Sequence, residues 1–307
     1  MFDIIGKRFW YFLISGIVIL TGIIALFVFG LKPAVEFSSG SLLTVSFEQE
    51  VNIDEVKPAL ANLGYGDAII QRTGEGDFLL RLPELSGAAK GDLEAGLTAS
   101  LGKLEVKGFD SVSPMIAAET TRNAAIAVII SAIAMLLYIS WAFHRMPNPF
   151  RWGICAIASL VHDILVVVGV FAVLGGIFGW QVDLMFVTGV LTVIGYSVND
   201  TIVIFDRIRE NLLKGSGVDF EVVVNYSLVE TMSRTLITGI GTLFVLIALF
   251  LFVGAPIQNL VVVLLVGILT GTYSSIGTAA SLLVVWERGE WGRFIMRRRP
   301  LASGRAE

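Results

Sequence analysis

Six apolar runs, each long enough to cross a lipid bilayer, constrain this chain more than any other feature of its sequence. A transmembrane helix needs about 20 apolar residues to cross a hydrocarbon core about 30 Å thick. Runs of this kind occupy residues 10–30, 124–143, 153–174, 184–204, 236–253 and 260–285. Only 16% of the residues are charged, whereas soluble domains average about 25%. The sequence therefore predicts a multi-spanning α-helical membrane protein with six transmembrane helices.

The distribution of basic residues predicts how these spans are oriented. Lys and Arg occur in the segments Lys7–Arg8, Arg145 to Arg151, Arg207 to Lys214 and Arg288 to Arg299. The two short loops on the opposite side, residues 175–181 and 254–259, contain neither. Cytoplasmic loops carry the excess of basic residues. We therefore expect residues 1–9 and the basic tail, residues 287–307, to be cytoplasmic, with the first apolar run retained as a span.

The long loop at residues 31–121 is then extracytoplasmic and large enough to fold as a domain of its own. Strand patterns at 41–47, 68–73, 77–82 and 104–112 alternate with two helices, at 52–63 and 90–101, with a turn at 74–76. Asn52 and Glu55 have the spacing of a capping box at the start of the first helix. The order β-α-β-β-α-β predicts an α+β ferredoxin-like domain, which by itself identifies no function. Residues 122–286 form a five-helix transmembrane region.

Two charged residues at membrane depth are the first candidates for a functional site. Asp200 lies in the cytoplasmic third of the fourth span, and Arg234 lies at the inner end of the fifth. Each costs roughly 2.5 to 3.5 kcal/mol at a helix centre. Antiparallel neighbouring spans would bring the two side chains together, so that they could pair.

The fourth span also carries a polar face. Thr188, Thr192, Tyr196 and Asp200 recur every four residues, with Asn199 beside them. Asp200 is either a titratable proton-binding group or a wetted carboxylate that joins the fourth and fifth spans. Arg234 is either its partner or an anchor that reaches the lipid headgroups.

Further polar residues lie in the third and fourth spans. His162 and Asp163 fall near the middle of the third span, with Ser159 one turn before Asp163. They form either an internal hydrogen-bonded pair or part of a proton path. Asp183 starts the fourth span at the outer interface, either as a helix cap or as a wetted helix end.

Two more segments permit alternative interpretations. Residues 206–211 continue the fourth helix into the cytoplasm, either as a salt-bridged solvated end or as a contact surface. Gly267 and Gly271, followed by Ser274, Ser275 and Gly277, allow another helix to approach the sixth span closely.

Several classes of function lack their motifs. The net charge of −4 is spread along the chain and predicts no nucleic-acid surface, and the single cysteine, Cys155, permits neither a disulfide nor a cysteine metal site. No P-loop is present. Asp163 and Asp200 could suggest an intramembrane aspartic protease, but no G-x-G-D motif adjoins either. We therefore expect a protein that is not an enzyme, with no metal or cofactor, powered by an ion gradient.

The residues of the fourth span also carry a family resemblance. Residues 196–203 (YSVNDTIV) and 206–211 (DRIREN) resemble the fourth-span signature of the SecF family of protein-export membrane proteins. Similar elements are residues 7–10 (KRFW), 162–163 (HD) and 231–236 (TMSRTL). Together with the order of the spans, the resemblance covers nearly the whole chain.

The resemblance implies a half-sized partner of SecD, the two forming a twelve-helix unit of the resistance-nodulation-division type. It implies a place in the bacterial cytoplasmic (inner) membrane beside the SecYEG channel, with YidC and YajC as further partners and an unfolded secretory polypeptide as cargo. The proton-motive force would drive late steps of export. Asp200 and Arg234 match the proton-coupling aspartate and arginine of the family, with Asn199 in the same signature, and His162 and Asp163 match a further family pattern.

Two segments depart from the family. Residues 34–40 (AVEFSSG) stand where the family has G-[IL]-D-F-x-G-G, and residues 113–115 (SPM) replace a Gly-Pro-Ser motif before the second span. We expect altered turn geometry at the first place and a different hinge between the outer domain and the membrane at the second. Two other functions remain open, a passive scaffold that stabilises SecD and the channel, and an exporter of small lipophilic substrates.

Overall fold

A computed structural model describes residues 2–73, 76–214, 217–252 and 254–291. The predicted turn at residues 74–76 and the basic tail at 287–307 lie partly outside the described residues. In chain order, the elements are α1 (Arg8–Phe29), α2 (Val35–Ser38), β1 (Gly40–Phe47), α3 (Ile53–Asn62), β2 (Ile69–Arg72), β3 (Phe78–Leu82), α4 (Gly87–Leu101), β4 (Leu104–Val112), α5 (Pro114–Ala142), α6 (Pro149–Phe178), α7 (Leu184–Lys214), α8 (Phe220–Phe252), α9 (Ala255–Ser274) and α10 (Ala280–Arg288).

The described part of the chain contains six helical segments long and apolar enough to cross a membrane, which confirms the predicted fold class. The sixth is continuous from α9 to α10 through a π-helical segment, Ser275–Ala279. Helix α8 begins at Phe220, well before the apolar run that predicted it. Its first turns are held against the bundle, because Val224 and Leu228 are buried in the apolar cluster of the membrane helices.

The outer domain has the predicted ferredoxin-like order. Its sheet is antiparallel, with strand order β2-β3-β1-β4. Alternate residues of the strands point to one face, so that Leu43, Val45 and Leu80 pack with Leu93 and Leu97 of α4 into a closed apolar core. The capping box of α3 is also confirmed, because the Asn52 N–H donates to Glu55 Oε2 at 3.3 Å.

Glycines set the closest contacts between the membrane helices. A Cβ atom at Gly267 would lie 2.1 Å from Val193 Cγ2, and one at Gly271 would lie 3.1 Å from Ser197 Cβ. The helix that approaches this G-x-x-x-G face is therefore α7 of the same chain. Helices α1 and α6 cross as closely, since a Cβ at Gly169 would lie 2.6 Å from Gly22 Cα.

Candidate functional site

A buried carboxylate, Asp163, lies at the centre of the membrane bundle and is fully inaccessible. Its Oδ1 lies 3.0 Å from Nδ1 of His162. Its Oδ2 accepts hydrogen bonds from Ser197 Oγ at 2.6 Å and from Ser274 Oγ at 2.9 Å. Both oxygens of this side chain therefore have polar partners, as a buried polar group at this depth requires.

The partners of Asp163 come from three helices. His162 and Asp163 lie on α6, Ser197 lies on α7, and Ser274 is the last residue of α9. The contact exists because the glycines of α9 let α7 approach closely enough for both hydroxyls to reach the same oxygen. We call these four residues the Asp163 hub.

A second pair of hydroxyls continues the hub at the start of the π-helical segment. Thr201 Oγ1 and Ser275 Oγ are 2.9 Å apart, and Thr201 Oγ1 also donates to the carbonyl of Ser197 at 3.2 Å. π-Helical turns inside α-helices occur frequently at functional sites. The hub and this segment thus form one continuous polar region inside the bundle.

Asp200 is also buried, with only 4% of its surface exposed, but it is bonded differently. Its Oδ2 has no hydrogen-bond partner. Arg234 on α8 acts on Asp200 electrostatically, yet the described residues include no ion pair between them. The structure thus places the two predicted residues near each other without a direct contact.

A polar strip on α7 and α8 faces out of the chain at membrane depth. Asn199 is exposed, as are Thr188 and Thr192 on α7. On α8, Arg234 and Thr238 are exposed as well. The two α7 threonines satisfy their hydroxyls by donating to carbonyls four residues back. We call this surface the polar strip; unlike the Asp163 hub, it is open to a neighbouring molecule.

Ion pairs join the ends of the helices on the predicted cytoplasmic side. Arg207 Nε donates to Glu230 Oε2 at 2.6 Å, and Asn211 Nδ2 donates to Ser227 Oγ at 2.9 Å, so α7 is tied to α8. Arg209 pairs with Asp206 at 2.7 Å. The interpretation of residues 206–211 as a salt-bridged helix end agrees with these contacts.

The N-terminal end of α1 is fastened to the same side of the bundle. The buried guanidinium of Arg8 donates to Glu221 at 2.8 Å and to Glu290 at 2.7 Å. The guanidinium of Arg8 binds both carboxylates at once, so it holds the start of α1, the start of α8 and the end of α10 together.

The outer domain meets the membrane helices at a joint built on α2. Arg81 of β3 donates to the carbonyl of Pro33 at 2.6 Å and also to Ser38 Oγ. Gln71 Nε2 donates to the carbonyl of Gly179, at the end of α6. These contacts fix the domain directly above the bundle.

Glu36 occupies the position of the family's acidic residue at this joint, and its Oε2 is buried without a hydrogen-bond partner. Burial raises the pKa of Glu36, and the nearby carboxylates of Asp183 and Asp110 raise it further, whereas Arg81 lowers it. Burial also raises the pKa of Asp183. Asp183 caps α7, because its Oδ1 accepts from the Phe186 N–H at 2.7 Å.

The turn after α2 has a backbone conformation that favours glycine, although serine occupies the position. Ser39 has φ 62° and ψ 167°, a combination that glycine adopts freely and other residues adopt at a cost of order 1–3 kcal/mol. Ser39 stands at the family's first glycine of the pair, so this chain holds a strained residue there. The second glycine is retained as Gly40, where a Cβ would lie 2.6 Å from the carbonyl oxygen of Leu82.

Sequence reasoning missed the role of two serines. The four-residue pattern of α7 draws attention to the polar strip, whereas Ser197 lies on a different face of that helix. Ser274 was noted only because a small residue allows close packing. The signal that could have found them is the concentration of small hydroxyl residues opposite a midspan carboxylate. Within the described residues, no group of three or more His, Cys, Asp or Glu side chains could hold a metal ion.

Six spans, a buried polar hub, a polar strip open to a neighbour and an outer α+β domain define a polytopic membrane protein. Residues 93–289 match the family described as "Protein export membrane protein SecD/SecF, C-terminal", and residues 24–51 match the "SecD/SecF GG Motif". The chain is 42% identical to "Protein translocase subunit SecF" of Thermobaculum terrenum, with 99% of each chain covered. It is 40% identical to the protein of the same name from Anaerolinea thermophila, with 97% of this chain and 98% of the relative covered.

The chain belongs to the SecF family of protein translocase subunits. Its structure resembles the crystal structure of SecDF, described as a translocon-associated membrane protein, from Thermus thermophilus, with a TM-score of 0.84 and 30% identity. The match covers 94% of this chain but only 39% of that SecDF chain. The predicted family and fold are therefore confirmed.

Proposed function

We propose that this protein couples the proton-motive force to late steps of protein export, with Asp200 as the group that binds and releases the proton. The observation that carries the proposal is a buried carboxylate with one unpartnered oxygen, next to a polar strip that opens out of the chain. A carboxylate in such a position can exist in both protonation states, because neither state is locked by a full set of hydrogen bonds.

Arg234 and Asn199 complete the proposed proton-coupling site. Arg234 places a positive charge within electrostatic reach of Asp200, and Asn199 offers an amide beside it on the polar strip. One charge moved through 100 mV yields about 2.3 kcal/mol, enough to bias a two-state helix arrangement. His162 and Asp163 are also proposed to belong to the proton-coupling site, as a second polar group inside the bundle.

The proposed partner is SecD, whose helices would cover the polar strip. Exposed Thr, Asn and Arg side chains at membrane depth are costly against lipid but suit a protein interface. The SecDF chain is far longer than this one, which leaves room for a second half. We further propose that the pair works beside the SecYEG channel, with YidC and YajC as associated proteins and an unfolded secretory polypeptide as cargo.

The proposed location is the bacterial cytoplasmic membrane, with both termini in the cytoplasm and the outer domain on the far side. Support comes from the basic residues, since Arg145, Arg151, Arg207 and Arg209 fall at the same ends of the spans as Lys7. The ion pairs of Arg207 and Arg209 then face the cytoplasm.

Replacing Asp200 by Asn tests the proposal. Asn cannot exchange a proton, so proton-driven export in vesicles that contain SecD and the SecYEG channel should fall at least about tenfold, while SecD still co-purifies. The matched control is Asp206→Asn on the same helix. The side chain of Asp206 is 55% exposed, so this substitution should leave export unchanged.

Normal export by Asp200→Asn would contradict proton coupling at this site. If that variant exported normally while deletion of the whole chain destabilised SecD, the passive-scaffold function would hold instead.

A further inference from the structure

Asp163 and Asp200 lie in the same bundle but have opposite hydrogen-bond states. Asp163 has three polar contacts, with His162, Ser197 and Ser274, and no accessible surface. Asp200 has an unpartnered oxygen. A group that must load and release protons needs alternatives to its present bonds, whereas a group that holds helices in place needs them all satisfied. The two aspartates are therefore suited to different tasks.

The hydrogen bonds at Asp163 do not require its charge. The hydroxyls of Ser197 and Ser274 both donate to Oδ2, and Oδ1 lies within hydrogen-bond distance of His162 Nδ1. An asparagine amide can reproduce the set, because its oxygen accepts from both hydroxyls and its NH₂ donates to the imidazole nitrogen. An alanine can make none of these bonds and leaves the two serines and the imidazole without their common partner.

The Asp163 hub is mechanically linked to Asp200 through α7. Ser197 precedes Asp200 by three residues, which on a helix places it about 4.5 Å away along the axis. The carbonyl of Ser197 accepts from Thr201, and the hydroxyl of Ser275 lies 3.5 Å from the same oxygen. Any rotation or shift of α7 at Ser197 therefore moves Asp200 with it.

We propose that Asp163 is a positioning residue. Through Ser197 it fixes the rotation and depth of α7, and through Ser274 it holds the π-helical segment. It thereby sets the position of Asp200 beside the polar strip. This inference rests on the proposed function for its consequence in export. The positioning role itself is supported by geometry, because α6, α7 and α9 meet at one carboxylate, and it does not depend on the protonation state of Asp163.

The first test compares Asp163→Asn with Asp163→Ala in proton-driven export by vesicles that contain the full chain, SecD and the channel. We expect Asp163→Asn to retain export within about threefold with an unchanged pH profile, and Asp163→Ala to lose at least about tenfold. The matched control is Ser159→Ala, on the same helix, because the buried hydroxyl of Ser159 has no hydrogen-bond partner. Export by that variant should be unchanged.

The second test reports on geometry without relying on proton coupling. In a Cys155→Ala background, which removes the only native cysteine, Thr201→Cys and Ser275→Cys place thiols where the hydroxyls are 2.9 Å apart. Oxidative cross-linking should proceed equally in chains with Asp163 and with Asp163→Asn. It should slow at least about tenfold with Asp163→Ala, because the hub no longer holds α7 against the π-helical segment.

Two results would overturn the proposal. If Asp163→Asn lost export as completely as Asp200→Asn while cross-linking stayed intact, Asp163 would be a proton carrier. If Asp163→Ala cross-linked at the rate of the parent, Asp163 would not position α7. Normal export by Asp200→Asn would instead contradict the proposed proton coupling. The role of the Asp163 hub would then be decided by the cross-linking experiment alone.

Discussion

The outer domain and the membrane bundle both bury apolar side chains, but they differ in the polar groups they bury and in what they expose. In the outer domain, Leu43, Leu80 and Leu97 are fully inaccessible, and the surface is polar. The bundle also buries an apolar cluster, but Ser274 and Asp163 are fully buried beside it, and many further apolar side chains point outwards. Water drives the first arrangement through the hydrophobic effect, but lipid is as apolar as leucine, so the bundle is held by close packing and hydrogen bonds.

The largest effect should come from the outer domain's core. Leu80→Ala removes a fully buried side chain and should destabilise the domain by about 2–5 kcal/mol, measured as the shift in its thermal unfolding in purified, lipid-reconstituted protein. The matched change in the bundle is Leu249→Ala on α8, where the side chain is 40% exposed and faces out of the chain.

Leu249→Ala should change stability by less than about 0.5 kcal/mol. Equal destabilisation by the two leucine substitutions would contradict the comparison, since it would mean that apolar area determines stability in both regions.

The bundle should be sensitive at its glycines instead. Gly169→Ala places a Cβ 2.6 Å from Gly22 Cα, a backbone atom that cannot rotate away, and should destabilise the bundle by about 1–3 kcal/mol. The control is Gly16→Ala on α1, where a Cβ meets nothing within 4 Å. Thermal unfolding in detergent measures both.

Gly16→Ala should be neutral or stabilising, because alanine favours a helix over glycine by up to about 1 kcal/mol. If Gly169→Ala unfolded no earlier than Gly16→Ala, the α1–α6 crossing would not depend on close approach.

The same difference explains what could be predicted from the sequence. In the outer domain, two-residue alternation and the Asn52–Glu55 spacing report local rules, so the order of strands and helices along the chain and the capping box were predicted correctly. In the bundle, apolar length gave the six spans but not their rotation. A serine or threonine hydroxyl on a membrane helix commonly donates to a carbonyl of its own helix, as Thr188 and Thr192 do here. Only the docking of α7 on α9 directs the hydroxyl of Ser197 to Asp163.

Contacts between distant segments were the least predictable. The Gly22–Gly169 crossing joins helices far apart in the chain, and no local pattern pairs them. The depth of Asp200 and Arg234 allowed either a pair or separate roles, and the structure brings them within electrostatic reach without an ion pair among the described residues. Depth follows from apolar length, but the direction of a side chain depends on how every neighbouring helix packs.

The smallest predicted effect lies at the joint between the two regions, where a group with a raised pKa is half-buried. Because burial raises the pKa of Glu36 above its ordinary value of 4.5, the folded state favours the protonated form. The contribution to stability is therefore fully present below 4.5 and is lost as the pH rises through the folded-state pKa. Thermal unfolding, followed from acid towards neutral pH, should show this loss.

Glu36→Gln should remove that pH dependence, because glutamine resembles the protonated acid and does not titrate. At neutral pH this variant should be more stable than the parent, and its joint should be cleaved more slowly by added protease. Glu84→Gln, an exposed carboxylate of the same domain, serves as the control and should leave the pH profile of the parent unchanged. A parental profile in Glu36→Gln would show that the joint behaves like the water-exposed domain rather than like the buried sites of the bundle.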